Sequence, residues 1–208
     1  TGALDTTSEP TDVSVRQLPT RISALQLDLD TASVNADVGT LTGRLQATNV
    51  DGAVSLSGLE VQLSTSSGVD ETVSLNASGA ATFALRELRS AGDFTLEATA
   101  VLPATDGETA SASALYAVHA GQPASAQLSL TDGTASGNPL QTTAGASVEA
   151  SVSAEDAHGN AIDAPSVELT STTSGVALSG MTLVALTRAQ TVEVTAHLAG
   201  GLSVDGSI

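Results

Sequence analysis

Two short stretches of the chain concentrate side chains that bind hard cations. The first holds Asp28, Asp30, Asn35 and Asp37, and the second Glu155, Asp156, Asn160 and Asp163. A hard cation such as calcium takes several oxygens from carboxylates, amides and backbone carbonyls, which both stretches could offer. Neither follows the spacing of an EF-hand loop. The same residue types also make turns: Asp and Asn bond their own backbone, and a glycine such as Gly159 supplies a positive φ. Calcium is the one cofactor with a physical case; the competing reading is a solvated acidic surface with turn formers.

Other chemistry finds less support. His119, His158 and His197 are scattered over a hinge, a turn and a strand end. A nucleophile, a histidine and a carboxylate act together only within hydrogen-bond reach of one another, and serine and aspartate are too common here for their presence to select a triad. No His-x-x-x-His pair or His/Cys cluster suggests zinc. Asp70-Glu71 and Glu155-Asp156 are adjacent pairs, and neighbours on a strand point to opposite faces, so neither pair is an acid/base dyad. The chain has no cysteine and no lysine. That removes disulfides, thiolate chemistry, Schiff bases, Lys–Asn crosslinks and the lysine-bearing phosphate loop. The chain is therefore expected to be non-enzymatic.

The net charge of −17 repels nucleic acid and anionic membrane surfaces. Of the 208 residues, 41% are hydrophobic and 14% charged, too apolar a mixture for disorder. No apolar run is long enough to span a membrane. From Thr1 onward no signal peptide is legible, as expected if one has been removed. Residues 1–19 read as a polar tether or as the last strand of a preceding module, the kind of segment that follows an upstream lipid anchor.

From there on the dominant pattern has period two, the mark of half-buried strands. Leu25, Leu27 and Leu29 share a face, with Ile22 before them; Leu41, Gly43, Leu45 and Ala47 share another, and that run closes at the turn dipeptide Asp51-Gly52. Leu59, Val61 and Leu63 follow, then Val73 and Leu75. The stretch ALRELRSAG (84–92) carries a helical Leu85/Leu88 pair and a glycine stop. It is flanked by the alternating runs Ala81–Phe83–Leu85 and Phe94–Leu96–Ala98–Ala100. Room for barely one and a half turns favours strand, connection, strand, the connection holding one helical turn at most.

The pattern restarts after HAGQPA (119–124). ISALQLDLD near residue 22 matches ASAQLSLTD near 124. Ser67-Gly68-Val69 falls over Ser174-Gly175-Val176, and Phe94, Leu96 and Ala98 fall over Val192, Val194 and Ala196. A unit of about 100 residues with seven or so short strands has the size and rhythm of an immunoglobulin-like sandwich. The expected fold is all-β, two tandem sandwiches: the first over 20–118, a hinge over 119–124 and the second over 125–208.

The segment 144–180 resembles bacterial immunoglobulin-like domains of the invasin and intimin kind. It places Asp156-Ala157-His158-Gly159-Asn160 between a strand and Val167-Glu168-Leu169. Residues 76–100 are similar to a later part of such domains, through Gly79-Ala80-Ala81, Ser90-Ala91-Gly92 and Leu96-Glu97-Ala98. There are departures. Ala161 stands where the family often has proline, Asn49-Val50-Asp51-Gly52 replaces the Asp-x-x-Gly-Asn motif in the first half, and the second half lacks the Gly-x-Ala signature. The resemblance implies a spacer, adhesin arm or assembly component outside the cell, with other protein domains or surface components as partners. The alternative is an accessory, carbohydrate-binding module of a secreted enzyme. Phe83, Phe94 and Tyr116 are the only aromatics; the two phenylalanines fall on apolar faces, which leaves no aromatic platform for a sugar. The short hinge predicts end-to-end stacking as a rod, stiffened at acidic junction loops if calcium binds.

Overall fold

The computed structural model describes residues 22–36, 38–49, 55–100, 109–184 and 190–208. The tether 1–19, Asp37 and the Asp51-Gly52 turn lie outside them.

The described chain is all-β. The first sandwich contains β1 (Ile22–Leu29), β2 (Ser33–Asn35), β3 (Leu41–Asn49), β4 (Glu60–Thr65), β5 (Asp70–Ser74), β6 (Ala80–Leu85), β7 (Gly92–Ala100) and β8 (Ser111–His119). The second contains β9 (Ser125–Thr131), β10 (Ser136–Gly137), β11 (Val148–Glu155), β12 (Val167–Thr170), β13 (Ala177–Ser179), β14 (Thr182–Val184), β15 (Glu193–Leu198) and β16 (Ser203–Ser207). No helix among the described residues is long and apolar enough to cross a membrane.

The strand order defines the fold. In the first sandwich, sheet β1-β3-β6 faces sheet β2-β8-β7-β4-β5; in the second, β10-β9-β11-β14-β13 faces β12-β15-β16. Every pairing is antiparallel except β2 with β8, which run parallel from Ser33↔Ala117 to Asn35↔His119. Two packed antiparallel sheets whose chain crosses repeatedly between them constitute an immunoglobulin-like sandwich.

Alternation explains the faces. Along β3, Leu41, Leu45 and Ala47 are buried while Arg44, Gln46 and Thr48 are exposed. A register shift between Ile22 and Ala24 brings Ile22 into phase with Leu25, Leu27 and Leu29 despite the odd spacing. Gly43 lies where an added Cβ would come within 2.5 Å of both the Asp28 carbonyl and the Phe83 ring. Glycine there lets the ring sit against the backbone.

The first core gathers Leu41, Leu45, Leu63, Leu85, Leu88 and Leu96, all at most 1% exposed. The second is built around Leu130, Val148, Val192 and Val194. Leu96 and Val194, which align in the sequence, lie on β7 and β15, each between two neighbours in its sheet, and both are buried. Gly68 and Gly175, also aligned, both have φ near +90°, at 89° and 85°.

The stretch 84–92 folds as strand, connection, strand, without a helical turn. Leu85 and Leu88 are both buried all the same. Glu87 adopts a left-handed φ of 62° within an irregular connection between the two sheets, from which Leu88 enters the core. The apolar pair that mimicked a helix is therefore met by an irregular crossing from one sheet to the other. Phe83 is 4% exposed, whereas Phe94 is half-buried and tilts against Tyr116, ring centroids 5.7 Å apart. The buried Tyr116 hydroxyl lies 3.1 Å from Ser67 Oγ, so its polar end is satisfied.

Candidate functional site

Of the two acidic stretches, the second builds the more elaborate structure, and it does so where the sandwiches meet. Asp156 follows the last residue of β11 and is 4% exposed. A carboxylate that deep needs compensating donors. Four N–H groups provide them. His158 N–H and Asn160 N–H donate to Oδ1 at 2.8 and 2.9 Å; Gly121 N–H and Asn160 Nδ2 donate to Oδ2, both at 2.8 Å. Burial, the largest single effect, would raise its pKa. The four donors together outweigh burial and hold the carboxyl well below the usual carboxylate range.

Asp156 N–H also donates to the Asn160 carbonyl at 3.0 Å, and Gly159 N–H returns to the Asp156 carbonyl at 3.1 Å. Gly159 sits at φ 80°, the positive φ that closes this turn. Glu155 and Ala161 form a bridge beneath it.

Asp156, Glu155 and Asn160 also make contacts that leave the turn. Gly121 belongs to the connection between β8 and β9, which begins after His119, since that residue, expected in the hinge, closes β8; the buried carboxylate holds this connection directly. Ala124 N–H donates to the Glu155 carbonyl at 2.8 Å, a second tie on the same segment. Asn160 reaches further. Its Oδ1 accepts from Ala91 N–H at 2.9 Å and its Nδ2 donates to the Arg89 carbonyl at 2.7 Å. The amide thus reads two backbone groups of the β6–β7 connection in the first sandwich, as a neighbouring strand would. One Nδ2 hydrogen serves Arg89 and the other Asp156, so hinge, turn and opposing loop form one network.

Beside this network lies a cleft of about 600 Å³, flanked by Asp93, His119, Ile162 and Asp163. Asp163 is exposed there, and so is Glu155 on its strand end. The oxygens of Asp156 already accept N–H donors, which occupy the lone pairs a cation would use.

The first acidic stretch is dispersed. Asp28 lies exposed on β1 and accepts from Gln26 Nε2 at 3.0 Å. Asp30 is 3.8 Å from Arg44 Nε, an exposed ion pair. Asn35 pairs with His119 on the parallel β2–β8 edge, near the hinge. Asp37 lies outside the described residues. Among the described residues, no group of three or more His, Cys, Asp or Glu side chains comes together as a metal cluster would.

His197 is flanked by hydroxyls, with Nε2 2.9 Å from Thr170 Oγ1 and Nδ1 2.9 Å from Ser203 Oγ. Both nitrogens are engaged, yet neither contacts the carboxylate that orients a catalytic imidazole. The trio is a polar ladder across β12, β15 and β16.

Reading Asp156 to Asn160 as a turn captures its backbone. The reach of Asn160 to Arg89 and Ala91 escapes that reading, because a side-chain bond between distant loops leaves no periodic trace. The one available signal is that the Asn160 side chain exceeds what the turn needs: its backbone N–H and carbonyl already close the loop on Asp156.

Neither a family model nor a curated protein sequence matches the chain. Among solved structures it is similar to a C-terminal 282-residue fragment of intimin in complex with the intimin-binding domain of the translocated intimin receptor. Identity is 15% and the TM-score 0.34, over 90% of this chain and 63% of that one; the chain thus spans less than two thirds of the fragment. The D0–D1 domain of intimin is 17% identical with a TM-score of 0.33, over 88% of this chain and 94% of that one. Sidekick-1 immunoglobulin domains 1–5 give 15% and 0.36, over 94% and 39%. At these values the fold rests on the strand order described above.

Proposed function

We propose that the chain is a non-catalytic module of an extracellular or cell-surface protein, in which two immunoglobulin-like sandwiches serve as a spacer or arm of set orientation. One observation carries this reading: Asp156 and Asn160 tie the hinge at Gly121 and the loop at Arg89–Ala91 into a single hydrogen-bond network. A flexible linker needs no buried carboxylate saturated by four N–H donors, whereas an arm that transmits position does. The acidic surface suits exposure to solvent and discourages association with like-charged surfaces. Calcium is an additional element of the proposal; exposed Glu155 and Asp163 are the oxygens left for it at the junction. For the carbohydrate-binding alternative, the buried Tyr116 and half-buried Phe94 are poor platforms.

Residual dipolar couplings test the reading. Amides of both sandwiches should fit one alignment tensor in the intact chain and separate into two for Asn160→Ala. Independent tensors in the unmodified chain would defeat the proposed role.

A further inference from the structure

The free edge of β6 has a feature the junction does not use. β6 ends the sheet β1-β3-β6. In an antiparallel ladder, alternate residues spend both backbone groups on the partner strand. Ala47 N–H donates to the Gly79 carbonyl, and the register continues Leu45↔Ala81, Gly43↔Phe83, Leu41↔Leu85. Those residues of β6 therefore bond inward to β3, and Ala80, Thr82 and Ala84 turn their backbone groups to the open side. Ala80 is satisfied there by its own turn: its N–H donates to Asn76 Oδ1 and its carbonyl accepts from Asn76 N–H. Thr82 and Ala84 have no backbone partner on that side among the described residues.

In the second sandwich the corresponding strand, β14, is flanked on that side by β13. In the first, the segment that could lie there is β5, which pairs with β4 instead. A seam is left open between β5 and β6. Toward Val69, Glu71 and Ala84 it holds about 580 Å³; at the other end, by Ser74 and Thr82, it runs into a cleft of about 700 Å³ that extends over Arg44 of β3 and Gln26 of β1. Natural edge strands are guarded by lysine, proline, bulges or inward charges. β6 reads Ala-Ala-Thr-Phe-Ala-Leu and pairs with β3 without a register shift, so it carries none of these.

We infer that this edge of β6 accepts a strand: an extended, positively charged segment of a partner protein adds beside β6 in the open seam. Thr82 and Ala84 present two N–H and two C=O groups at strand spacing, a pattern that another extended backbone complements. Charge selects the partner. A second copy would bring a further −17, which opposes self-pairing at this edge. Near Ala84, Asp70, Glu71 and Glu87 outnumber Arg86 and Arg89, while at Thr82 the cross-strand Arg44 is balanced by Asp28, so a cationic segment gains at the Ala84 end of the groove and from the long-range field.

The probe is a short fluorescent peptide alternating lysine with valine and threonine, set against the same peptide with glutamate for lysine. Thr82→Pro deletes an outward N–H and leaves the ladder to β3 intact. Anisotropy titration of the full chain should show the cationic peptide binding roughly tenfold or more tightly than the acidic one, and roughly tenfold more weakly to Thr82→Pro. Hydrogen exchange at Thr82 and Ala84 in the unmodified chain should slow on binding; this readout stands even if Thr82→Pro folds poorly. Binding that ignores Thr82→Pro and leaves both amides unprotected would be mere attraction to an acidic surface and would overturn the proposal. So would no binding at millimolar peptide, or self-association in sedimentation that Thr82→Pro abolishes, which would assign the edge to a second copy.

Discussion

Replacing Asn160 with alanine removes three hydrogen bonds at once: to Ala91 N–H at 2.9 Å, to the Arg89 carbonyl at 2.7 Å and to Asp156 Oδ2 at 2.8 Å. A neutral bond contributes a net of about 0.5–1.5 kcal/mol, and one to a charged group about 1.5–3 kcal/mol. Asn160 is half-buried, so water can reach the freed groups and values near the low end apply. The total is then about 2.5 kcal/mol, of which about 1 kcal/mol belongs to the contact between sandwiches and the rest to the bond with Asp156. The turn itself survives, because Gly121, His158 and the Asn160 backbone still donate to Asp156. Native-state hydrogen exchange separates the two parts. Protection of the Ala91 amide should fall by roughly fivefold, as about 1 kcal/mol requires, while core amides such as Leu96 change little in local opening. If Ala91 kept its protection in Asn160→Ala, the amide would not be what couples the two sandwiches, and the reasoning from this network would fail.

Further outcomes follow from burial and charge. Phe83→Ala should cost about 3–5 kcal/mol in denaturant unfolding, as for a buried ring, and half-buried Phe94→Ala about half of that; equal costs would contradict the packing described. Gly43→Ala should destabilise the first sandwich by more than 1 kcal/mol, on the order of an overpacked core site, since backbone and ring both lie in the way of the new methyl; an unchanged melting temperature would contradict the close approach. Arg86→Ala and Arg89→Ala should stay within about 0.5 kcal/mol of the parent, because both side chains are exposed. Asp156 and Asp132 are both held below the usual carboxylate range, the latter by the Thr142 hydroxyl, the Ala135 N–H and the Thr134 hydroxyl and N–H. Their folded-state pKa values lie below the unfolded value of about 3.9, so their stabilisation is complete at neutral pH and erodes as pH falls below about 4. Thermal melts should be flat from pH 7 to 5 and drop below about pH 4. Asp156→Asn should melt lower at neutral pH, with a shallower acid loss.

How much of this was legible beforehand differs by level. Strand positions were, because Leu41, Leu45 and Ala47, or Leu96 and Ala98, can alternate in only one way between core and water. The turn at Asp156–Asn160 was, because its residue types act locally. The side chosen by β5 was not: Val73 and Leu75 point to the core whether the strand joins β4 or β6, so alternation is blind to the sheet it enters. The partial exposure of Phe94 was hidden because period two assigns a face without saying how deeply its end positions are covered. Leu88 imitated a helix because an i, i+3 pair also suits an irregular crossing between sheets, and the left-handed Glu87 within it has no residue-type signature. The first acidic stretch looked concentrated only along the chain; Asp28 and Asn35 lie on different sheets.

The central claim is that the Asp156–Asn160 network holds the sandwiches in a set relation as an extended arm. Small-angle scattering of the intact chain, with and without millimolar calcium, addresses it directly. A compact body of 208 residues would have a radius of gyration of about 17 Å. The account predicts a clearly larger value with the profile of a single elongated particle, and a broadened distance distribution for Asn160→Ala. A further sharpening with calcium would add the cation to the junction, whereas a calcium-independent profile and melting temperature would remove it. A radius near that of a compact body, or a profile as broad as the variant's in the unmodified chain, would contradict the account.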